Sequence, residues 1–442
     1  MSRRSNLIFV MLILASLVLA ACGGAGTQAP AAPAPTQAPA AAPAATEPPA
    51  AAPAPTEVPA PTAAPAAEAK TITIWHQWDG KYLEAIEAAF KTYEAANPGV
   101  KIDISKPDSV SDALKVAIPA GEGPDIIGWA NDQIGSLALA GNIVPLDDLG
   151  VDKAFLDSTF EPAAVKGVIW SGKIWALPES QEGIALVYNK DLVTDKYLPT
   201  DLDDLLVKAE QFKADTGKVM VCNQGFGGSD AYHVAPIYFG SGVPEYVDDT
   251  GKVYMNTPEA LKAAEWLAAF SKVSLGENSY DICNAALQAG EVGAWWTGPW
   301  AIAAVEEAKV NYGILSVGKP FVGIKTLMIG KNAVDRGNAE LALDIIKYFA
   351  SAEVQKPIAL TNKTIPAVTA ALKDPEIQAL GTIAGFGEAL NVGVPMANTP
   401  YAGAQWGPVG DASAAIWTGA QTPADAMAGA QKAIEDKVKE MQ

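Results

Sequence analysis

An aromatic ring and a carboxylate follow a short apolar run in the stretch GPDIIGWANDQ, residues 123–133. The run is typical of a strand buried on both faces, and Trp129 and Asp132 come where that strand should end. A flat ring stacks on apolar C–H faces, and a carboxylate accepts hydrogen bonds from hydroxyl groups. Together they suit the binding of a carbohydrate. The alternative is that Trp129 belongs to a hydrophobic core and that Asp132 caps a helix.

The length and composition of the chain indicate how much structure can position these residues. With 442 residues, 49% of them hydrophobic, the chain can form two globular units and a tail. Its formal net charge is −19, and no basic stripe interrupts the acidic sequence. Because nucleic acid phosphates recruit clustered Lys and Arg, this composition argues against a nucleic acid partner.

Arginine usage bears on the charge of the ligand. Arg3 and Arg4 lie in the leader, which leaves Arg336 as the only arginine beyond it. Anionic ligands usually recruit bidentate arginines, so the scarcity favours a neutral ligand. Helix N-termini also bind anions, so arginine usage alone does not decide the question.

The first 68 residues have the composition of a targeting signal followed by a linker. Residues 1–21 combine a basic start with an apolar run, which predicts a signal peptide. The ending LAAC resembles the lipobox of bacterial lipoproteins, which implies cleavage before Cys22 and a lipid on its sulfur. Residues 22–68 are largely Ala, Pro and Thr, so we expect an extended linker without a core. The mature chain is then expected to be lipid-anchored on the outer face of the cytoplasmic membrane.

From Lys70 onward, short apolar strands alternate with amphipathic helices, a pattern typical of an α/β fold. The predicted strands are 71–75, 100–104, 125–129, 184–189, 292–296 and 312–316, and the predicted helices are 81–97, 132–140, 201–213, from 257 onward, 338–351 and 422–441. In open α/β sheets, ligands bind beyond the carboxyl ends of the strands. Asp79, Trp129, Glu182 and Trp300 fall at such positions.

Several motifs, taken in chain order, resemble the maltose and maltodextrin receptors of ABC importers, a group of extracellular solute-binding proteins. The motifs are GPDIIGWAND at 123, ALVYNKDL at 185, GPWA at 298, KVNYGI at 309 and KPFVGI at 319. The resemblance implies a two-lobed periplasmic-binding-protein fold of type II, with a ligand cleft between lobes that crossing strands connect. It assigns residues 69–180 and 327–375 to lobe 1, and residues 181–326 and 376–442 to lobe 2.

The same resemblance implies the residues of the binding site. These are Asp79, Trp129, Asp132 and Glu182 in the first lobe and hinge, and Asp230, Tyr232, Tyr280, Trp300 and Trp406 in the second lobe. The rings would stack on sugar units, and the carboxylates would accept hydrogen bonds from hydroxyls. A core position for Tyr280 and a solvated loop position for Asp230 stay open as alternatives. Trp295 and Trp296 lie inside an apolar strand and are expected to be structural.

Some positions depart from the family pattern. Gln133 stands where maltose receptors often have Arg, and Gly407 and Gly410 replace aromatic and basic residues. Ile302 stands where an aromatic residue is expected, whereas Trp78 offers an additional ring. The ligand is therefore expected to be a maltodextrin-type oligosaccharide, a cyclodextrin or another neutral oligosaccharide.

The function that the resemblance implies is capture of a sugar outside the cytoplasm, lobe closure, and transfer to ABC permease subunits. We expect a monomer that holds no cofactor and no metal. The rival class is a glycoside hydrolase, because two carboxylates across a glycosidic bond catalyse its hydrolysis. The chain contains only two histidines, His76 and His233, and lacks the patterns GxSxG and HExxH, so we expect no enzyme.

Two cysteines fall in the predicted second lobe, Cys222 and Cys283. An extracytoplasmic compartment permits a disulfide between them, and two small buried thiols are the alternative. Neither cysteine has a neighbour at the spacing of a metal site.

Overall fold

Residues 69–441 are described by a computed structural model of the chain. The predicted signal peptide, the lipidation of Cys22 and the predicted linker lie outside the described residues. Within residues 69–441, no helix combines the length and the apolar character needed to cross a lipid bilayer.

Thirteen strands and eighteen α-helices are assigned within residues 69–441. The strands are β1 (Lys70–His76), β2 (Val100–Ser105), β3 (Ile126–Ala130), β4 (Ile169–Trp170), β5 (Lys173–Ile174), β6 (Ala176–Glu182), β7 (Ala185–Asn189), β8 (Val219–Cys222), β9 (Val292–Thr297), β10 (Tyr312–Leu315), β11 (Phe321–Ile329), β12 (Ile365–Pro366) and β13 (Val394–Pro395). The helices are α1 (Gly80–Ala96), α2 (Val110–Ala120), α3 (Ile134–Leu139), α4 (Lys153–Thr159), α5 (Pro162–Gly167), α6 (Leu202–Thr216), α7 (Ala231–Gly240), α8 (Pro258–Phe270), α9 (Tyr280–Gln288), α10 (Ile302–Glu307), α11 (Lys331–Asp335), α12 (Ala339–Phe349), α13 (Ala352–Asn362), α14 (Thr369–Leu372), α15 (Pro375–Gln378), α16 (Gly381–Val392), α17 (Trp406–Trp417) and α18 (Pro423–Glu440).

The larger sheet has the strand order β12-β6-β11-β3-β1-β2, and β13 pairs with the start of β11. β1 runs parallel to β2 and β3, whereas β11 runs antiparallel to β3 and β6. Ile74 of β1 and Ile126 of β3 are fully buried in the hydrophobic core of this sheet. The predicted strands at 71–75, 100–104 and 125–129 are confirmed within one or two residues.

The smaller sheet has the order β10-β7-β9-β8. β7 runs antiparallel to β9 and β10, and β8 runs parallel to β9. Trp295 and Trp296 of β9 are fully buried, as the apolar strand predicts. Because neighbouring side chains of a strand point to opposite faces, they pack into separate hydrophobic clusters. The smaller sheet is therefore covered on both faces.

β6 and β11 connect the two sheets. β6 ends in Glu182 and leads through two residues into β7 of the smaller sheet, while β10 of that sheet leads into β11. The predicted lobe boundaries at 180/181 and 326/327 fall inside these two strands, and the boundary at 375/376 falls at the start of α15. The boundaries themselves stay predictions.

Cys222 ends β8 and Cys283 lies in α9, where both side chains are fully buried. Their Cα atoms are 5.4 Å apart, and the two sulfur atoms form a disulfide that joins the smaller sheet to α9. The bond closes a loop between residues 61 positions apart.

Removing this cross-link is expected to destabilise the protein. The double variant Cys222→Ala with Cys283→Ala should lose about 2–5 kcal/mol of unfolding free energy, because the unfolded chain regains the entropy of an open loop. Thiol titration of the unfolded protein, before and after reduction, provides the chemical check. We expect two additional thiols after reduction, and both thiols already titrating without reductant would contradict the bond.

Candidate ligand-binding site

A cavity of about 300 Å³ lies between the two sheets. It is lined by Gln77, Trp129, Ala130, Asp132, Glu182, Asp230, Tyr232, His233, Trp300, Lys325, Met396 and Trp406. The lining includes all of the predicted contacts except Asp79 and Tyr280. Its volume lies at the lower end of the range for pockets that hold small molecules.

β3 delivers the first pair of predicted residues. Trp129 is half-buried near the end of β3, and its ring packs against the hydrophobic cores of both sheets. Asp132 follows in a short 3₁₀ turn and is almost completely buried. No capping hydrogen bond joins its side chain to α3. The alternative of a helix-capping Asp132 is therefore wrong, and the carboxylate lies in the cavity wall instead.

The carboxylate of Asp132 is held from two sides. Its Oδ2 accepts hydrogen bonds from Nε2 of Gln133 at 2.7 Å and from Nε1 of Trp406 at 3.0 Å. Burial raises the pKa of Asp132 to about 6, although these two hydrogen bonds favour the carboxylate. Both side-chain donors reach Oδ2, which leaves Oδ1 available to a further donor.

Trp300 occupies the turn that follows β9. The turn Pro299–Ala301 folds the indole back over Gly298. A Cβ atom at Gly298 would lie 2.2 Å from the ring of Trp300. The motif GPW therefore needs its glycine so that the ring can lie close to the backbone, and this contact positions the half-buried indole in the cavity wall.

Phe321, the first residue of β11, orders the other rings. Tyr232 stacks on it with centroids 6.0 Å apart, and Trp406 packs against it edge-on at 5.5 Å. Tyr232 also lies 6.3 Å from the ring of Trp300. Burial raises the pKa of Tyr232 well above its usual value. The rings of Phe321, Tyr232, Trp406 and Trp300 thus form one connected aromatic surface.

Glu182 and Lys325 form an ion pair in the cavity wall. The Nζ atom of Lys325 lies 3.2 Å from Oε1 of Glu182, and the two side chains are only 17% and 13% exposed. Glu182 was predicted from the sequence, whereas Lys325 was not. A signal existed, because Lys325 is the only charged residue of β11, and a lone charge in a buried strand needs a partner.

Asp230 lines the cavity, but other groups already bind its two oxygens. Oδ1 accepts the backbone N–H groups of Tyr232 and His233, both at 3.1 Å, and so caps α7. Oδ2 lies 2.8 Å from Nδ1 of His233. Burial raises the pKa of Asp230, but His233 and the cap donors outweigh burial, so that the pKa lies below its usual value. A direct role in ligand contact stays a prediction.

Asp79 and Tyr280 lie outside the cavity. The carboxylate of Asp79 is mostly exposed and pairs with Lys106. Tyr280 is 37% exposed and packs edge-on against Trp295 at 5.0 Å. Burial raises the pKa of Tyr280, and the negative charges of Asp281 and Asp79 raise it further. Their role as ligand contacts stays a prediction.

Trp78 does not offer an additional ring to a ligand. Its ring is 2% exposed, stacks on His76 at 4.9 Å and contacts Phe349 in the core of the larger sheet. Its Nε1 donates to the buried carboxylate of Glu179 at 3.2 Å. The expectation of an extra ligand-binding ring is therefore wrong, because the chain turns inward after β1 and buries this side chain.

Gly410 has a steric reason to be glycine. It lies in α17, where a Cβ atom would approach the carbonyl carbon of Ser229 to 2.7 Å and the backbone nitrogen of Asp230 to 2.8 Å. The loop before α7 therefore occupies the space that a longer side chain would need. Gly407, by contrast, has room, since its nearest neighbour is Nζ of Lys437 at 3.7 Å.

Comparison with known families places this geometry in context. The family described as bacterial extracellular solute-binding protein matches residues 88–385, which is more than half of the chain. The chain belongs to this family.

Individual relatives of this solute-binding protein include sugar receptors. The maltotriose-binding protein of Pyrococcus abyssi (strain GE5 / Orsay) is 29% identical over 354 residues, 76% of this chain and 75% of the relative. The galactooligosaccharide-binding protein of Bacillus subtilis (strain 168) is 27% identical over 348 residues, 74% of this chain and 80% of the relative.

Solved structures confirm the fold of this solute-binding protein. The Thermus thermophilus maltotriose binding protein, bound with maltotriose, superposes with a TM-score of 0.74 at 22% identity over 83% of this chain and 100% of that chain. The maltose/maltodextrin-binding domain from Bdellovibrio bacteriovorus, bound to maltotriose, superposes with a TM-score of 0.76 at 21% identity. This superposition covers 84% of this chain and 100% of that chain. The predicted two-lobed α/β fold of type II is therefore confirmed.

The cavity of this solute-binding protein combines flat rings with charged groups of both signs. The indoles can stack on apolar ring faces, the carboxylates of Asp132 and Glu182 can accept hydrogen bonds, and Lys325 can donate them. Among residues 69–441, no cluster of His, Cys, Asp and Glu has the arrangement of a metal site.

Proposed function

We propose that this solute-binding protein is the extracytoplasmic sugar-binding subunit of an ABC importer, and that it binds maltodextrin-type oligosaccharides. The observation that carries the proposal is the cavity that Trp129, Trp300 and Trp406 line together with the carboxylates of Asp132 and Glu182. Rings that stack and acceptors that bind hydroxyls are the two features that sugar recognition requires. The relatives that are named for maltotriose and maltodextrin support this ligand class.

The charges of the cavity wall support a neutral ligand. Asp132, Glu182 and Asp230 face a single lysine, Lys325, whose charge is already balanced by Glu182. An anionic sugar would meet a surplus of carboxylates, whereas hydroxyl groups can donate to them.

Lobe closure is the proposed working step. Trp129 lies in β3 of the larger sheet and Asp132 in the turn that follows it, whereas Glu182 ends a connecting strand. Tyr232 and Trp300 fall in the predicted second lobe. A sugar that contacts all of them stabilises the closed form, because only that form offers both sets of contacts. The protein breaks no bond, and permease subunits in the membrane recognise the closed form. A lipid on Cys22 would keep the protein at the outer face of that membrane.

A thermal-shift screen tests the ligand class. Maltotriose at 100 times its dissociation constant should stabilise the protein by about 2.7 kcal/mol and raise its melting temperature. Maltose, a cyclodextrin and a galactooligosaccharide serve as parallel ligands, and an oligogalacturonate serves as the anionic control.

The screen also separates the alternatives. A larger shift with the cyclodextrin or the galactooligosaccharide would move the proposal to that sugar. No shift with any sugar would overturn it. Release of shorter sugars from maltotriose during incubation would indicate a glycoside hydrolase instead.

A further inference from the structure

His233 is a buried polar side chain of the cavity that the proposed stacking mechanism does not use. It lies in the first turn of α7, and its side chain is 8% exposed. Its ring is 5.3 Å from that of Tyr232 and 6.0 Å from that of Trp300, so it lies among the rings of the proposed sugar site.

The contact with Asp230 determines which ring nitrogen carries the proton. Nδ1 lies 2.8 Å from Oδ2 of Asp230, and a carboxylate can only accept a hydrogen bond. Nδ1 of the neutral imidazole is therefore protonated, and Nε2 presents a lone pair.

Nε2 of His233 is a buried acceptor that has no hydrogen-bond partner among residues 69–441. Two other buried groups of the cavity wall also have no hydrogen-bond partner among residues 69–441: the hydroxyl Oη of Tyr232 and Nε2 of Gln77, which is a donor. Buried polar groups are nearly always paired, so unpaired groups around one cavity point to a polar ligand. Gln77 follows β1 of the larger sheet, and His233 and Tyr232 belong to the second lobe.

We infer that His233 is a specificity-determining residue that accepts a hydrogen bond from a hydroxyl group of the bound sugar through Nε2. The inference rests on the proposed function, and it assigns Asp230 a positioning role. Asp230 holds the imidazole in the tautomer that leaves Nε2 unprotonated. Recognition then requires a ligand group that donates at this point, as a sugar hydroxyl does and an ether oxygen cannot.

The structure predicts how a change at Asp230 acts on His233. In Asp230→Asn, the amide oxygen must accept the two cap N–H groups that Oδ1 accepts now, because an amide N–H₂ group cannot. The N–H₂ group then faces Nδ1 of His233. Nδ1 becomes the acceptor, the proton moves to Nε2, and the site offers a donor where the sugar needs an acceptor.

Calorimetry on the full-length chain tests the inference with three variants. His233→Phe keeps the ring shape without the acceptor, and we expect at least a tenfold weaker affinity for maltotriose. Asp230→Asn should weaken binding to a similar extent. The double variant should be no weaker than either single one, because both changes remove the same hydrogen bond.

Nitrogen NMR with ¹⁵N-labelled histidine supplies a readout that a purely structural role would not change. The chain contains two histidines, and His76 accepts the N–H of Trp78 at Nδ1, so its proton belongs on Nε2. The wild-type spectrum should therefore contain one histidine of each tautomer. Maltotriose should shift the Nε2 signal of His233, and Asp230→Asn should reverse its tautomer.

The outcomes separate this inference from the proposed function. If the wild-type protein binds maltotriose and His233→Phe binds it within twofold as tightly, the inference is overturned while the function stands. A protonated Nε2 on His233 in the wild-type protein would also overturn it. If the wild-type protein binds no sugar, both fail.

Discussion

The single variants Trp406→Ala and Trp300→Ala should each bind maltotriose more than tenfold more weakly than the wild type. Each variant removes an indole face from the cavity, and a stacked ring contributes on the order of 1 kcal/mol or more. Trp406 has a second role, because its Nε1 donates to the buried carboxylate of Asp132 at 3.0 Å. Its loss leaves that carboxylate with one side-chain donor, so the effect should be larger than for Trp300. Isothermal titration calorimetry measures both.

Trp170→Ala is the matched control for these variants. Trp170 is likewise partly buried, but it packs on Trp175 at 6.2 Å in the β4–β5 hairpin, outside the cavity. Its replacement should lower stability and leave affinity unchanged. Unchanged affinity in both cavity variants would eliminate the stacking model.

Asp132→Asn should raise the stability of the protein at neutral pH and weaken sugar binding at least tenfold. The amide oxygen of asparagine can accept the hydrogen bonds of Gln133 and Trp406 that now reach Oδ2. The variant thus keeps both contacts and removes a charge that burial disfavours. Its N–H₂ group replaces Oδ1, however, and cannot accept a hydrogen bond from a sugar hydroxyl.

The shifted pKa of Asp132 determines how the stability of the wild-type protein changes with pH. The pKa of Asp132 is about 6 in the folded protein, above the ordinary value of 3.8. The folded state therefore holds the proton more tightly, and the stability gained from protonation is lost as the pH rises through about 6. The difference corresponds to at most about 3 kcal/mol at neutral pH.

Chemical unfolding at pH 4 and pH 8 checks the sign. The free energy of unfolding of the variant should exceed that of the wild type at pH 8. The difference should be much smaller at pH 4, where the wild-type carboxyl is protonated. Asp108→Asn, which changes an exposed carboxyl, should show neither effect. A variant that loses stability at pH 8 would contradict a disfavoured buried charge.

Helices and strands with a clear local pattern of apolar and capping residues were predicted correctly from the sequence. The strand at 71–75, the helix at 81–97 and the helix that starts at Thr257 and Pro258 all match the structure, because apolar spacing and capping residues act locally. Thr257 caps α8 through its hydroxyl, as its position predicts.

The connecting strands were missed, because their stability comes from their neighbours. β6 has the sequence ALPESQE, whose proline and polar residues disfavour a strand. It forms because β11 and β12 pair with it on its two sides. That pairing brings residues about 150 positions apart into register, for example Leu177 with Leu327, which no local pattern can indicate.

The same limit applies to the candidate site. Residue type identified Trp129, Asp132 and Trp300, whose chemistry is visible in one motif each. His233 could be found only from the fold, because its role depends on its contact with Asp230. The lone charge of Lys325 was a signal in the sequence, but only the fold shows that its partner is Glu182. Trp78 was wrongly predicted to face the ligand, because the sequence at a strand end does not show in which direction the following side chains point.

The close contact at Gly410 limits how this receptor can change its preference during evolution. A single substitution there cannot introduce a basic side chain, because the Cβ atom alone would collide with the backbone at Ser229 and Asp230. That backbone also holds the cap that orients His233, so making space would disturb the imidazole as well. A basic side chain that binds acidic sugars would therefore have to arise at another position. Gln133, whose amide donates to Asp132, is such a position.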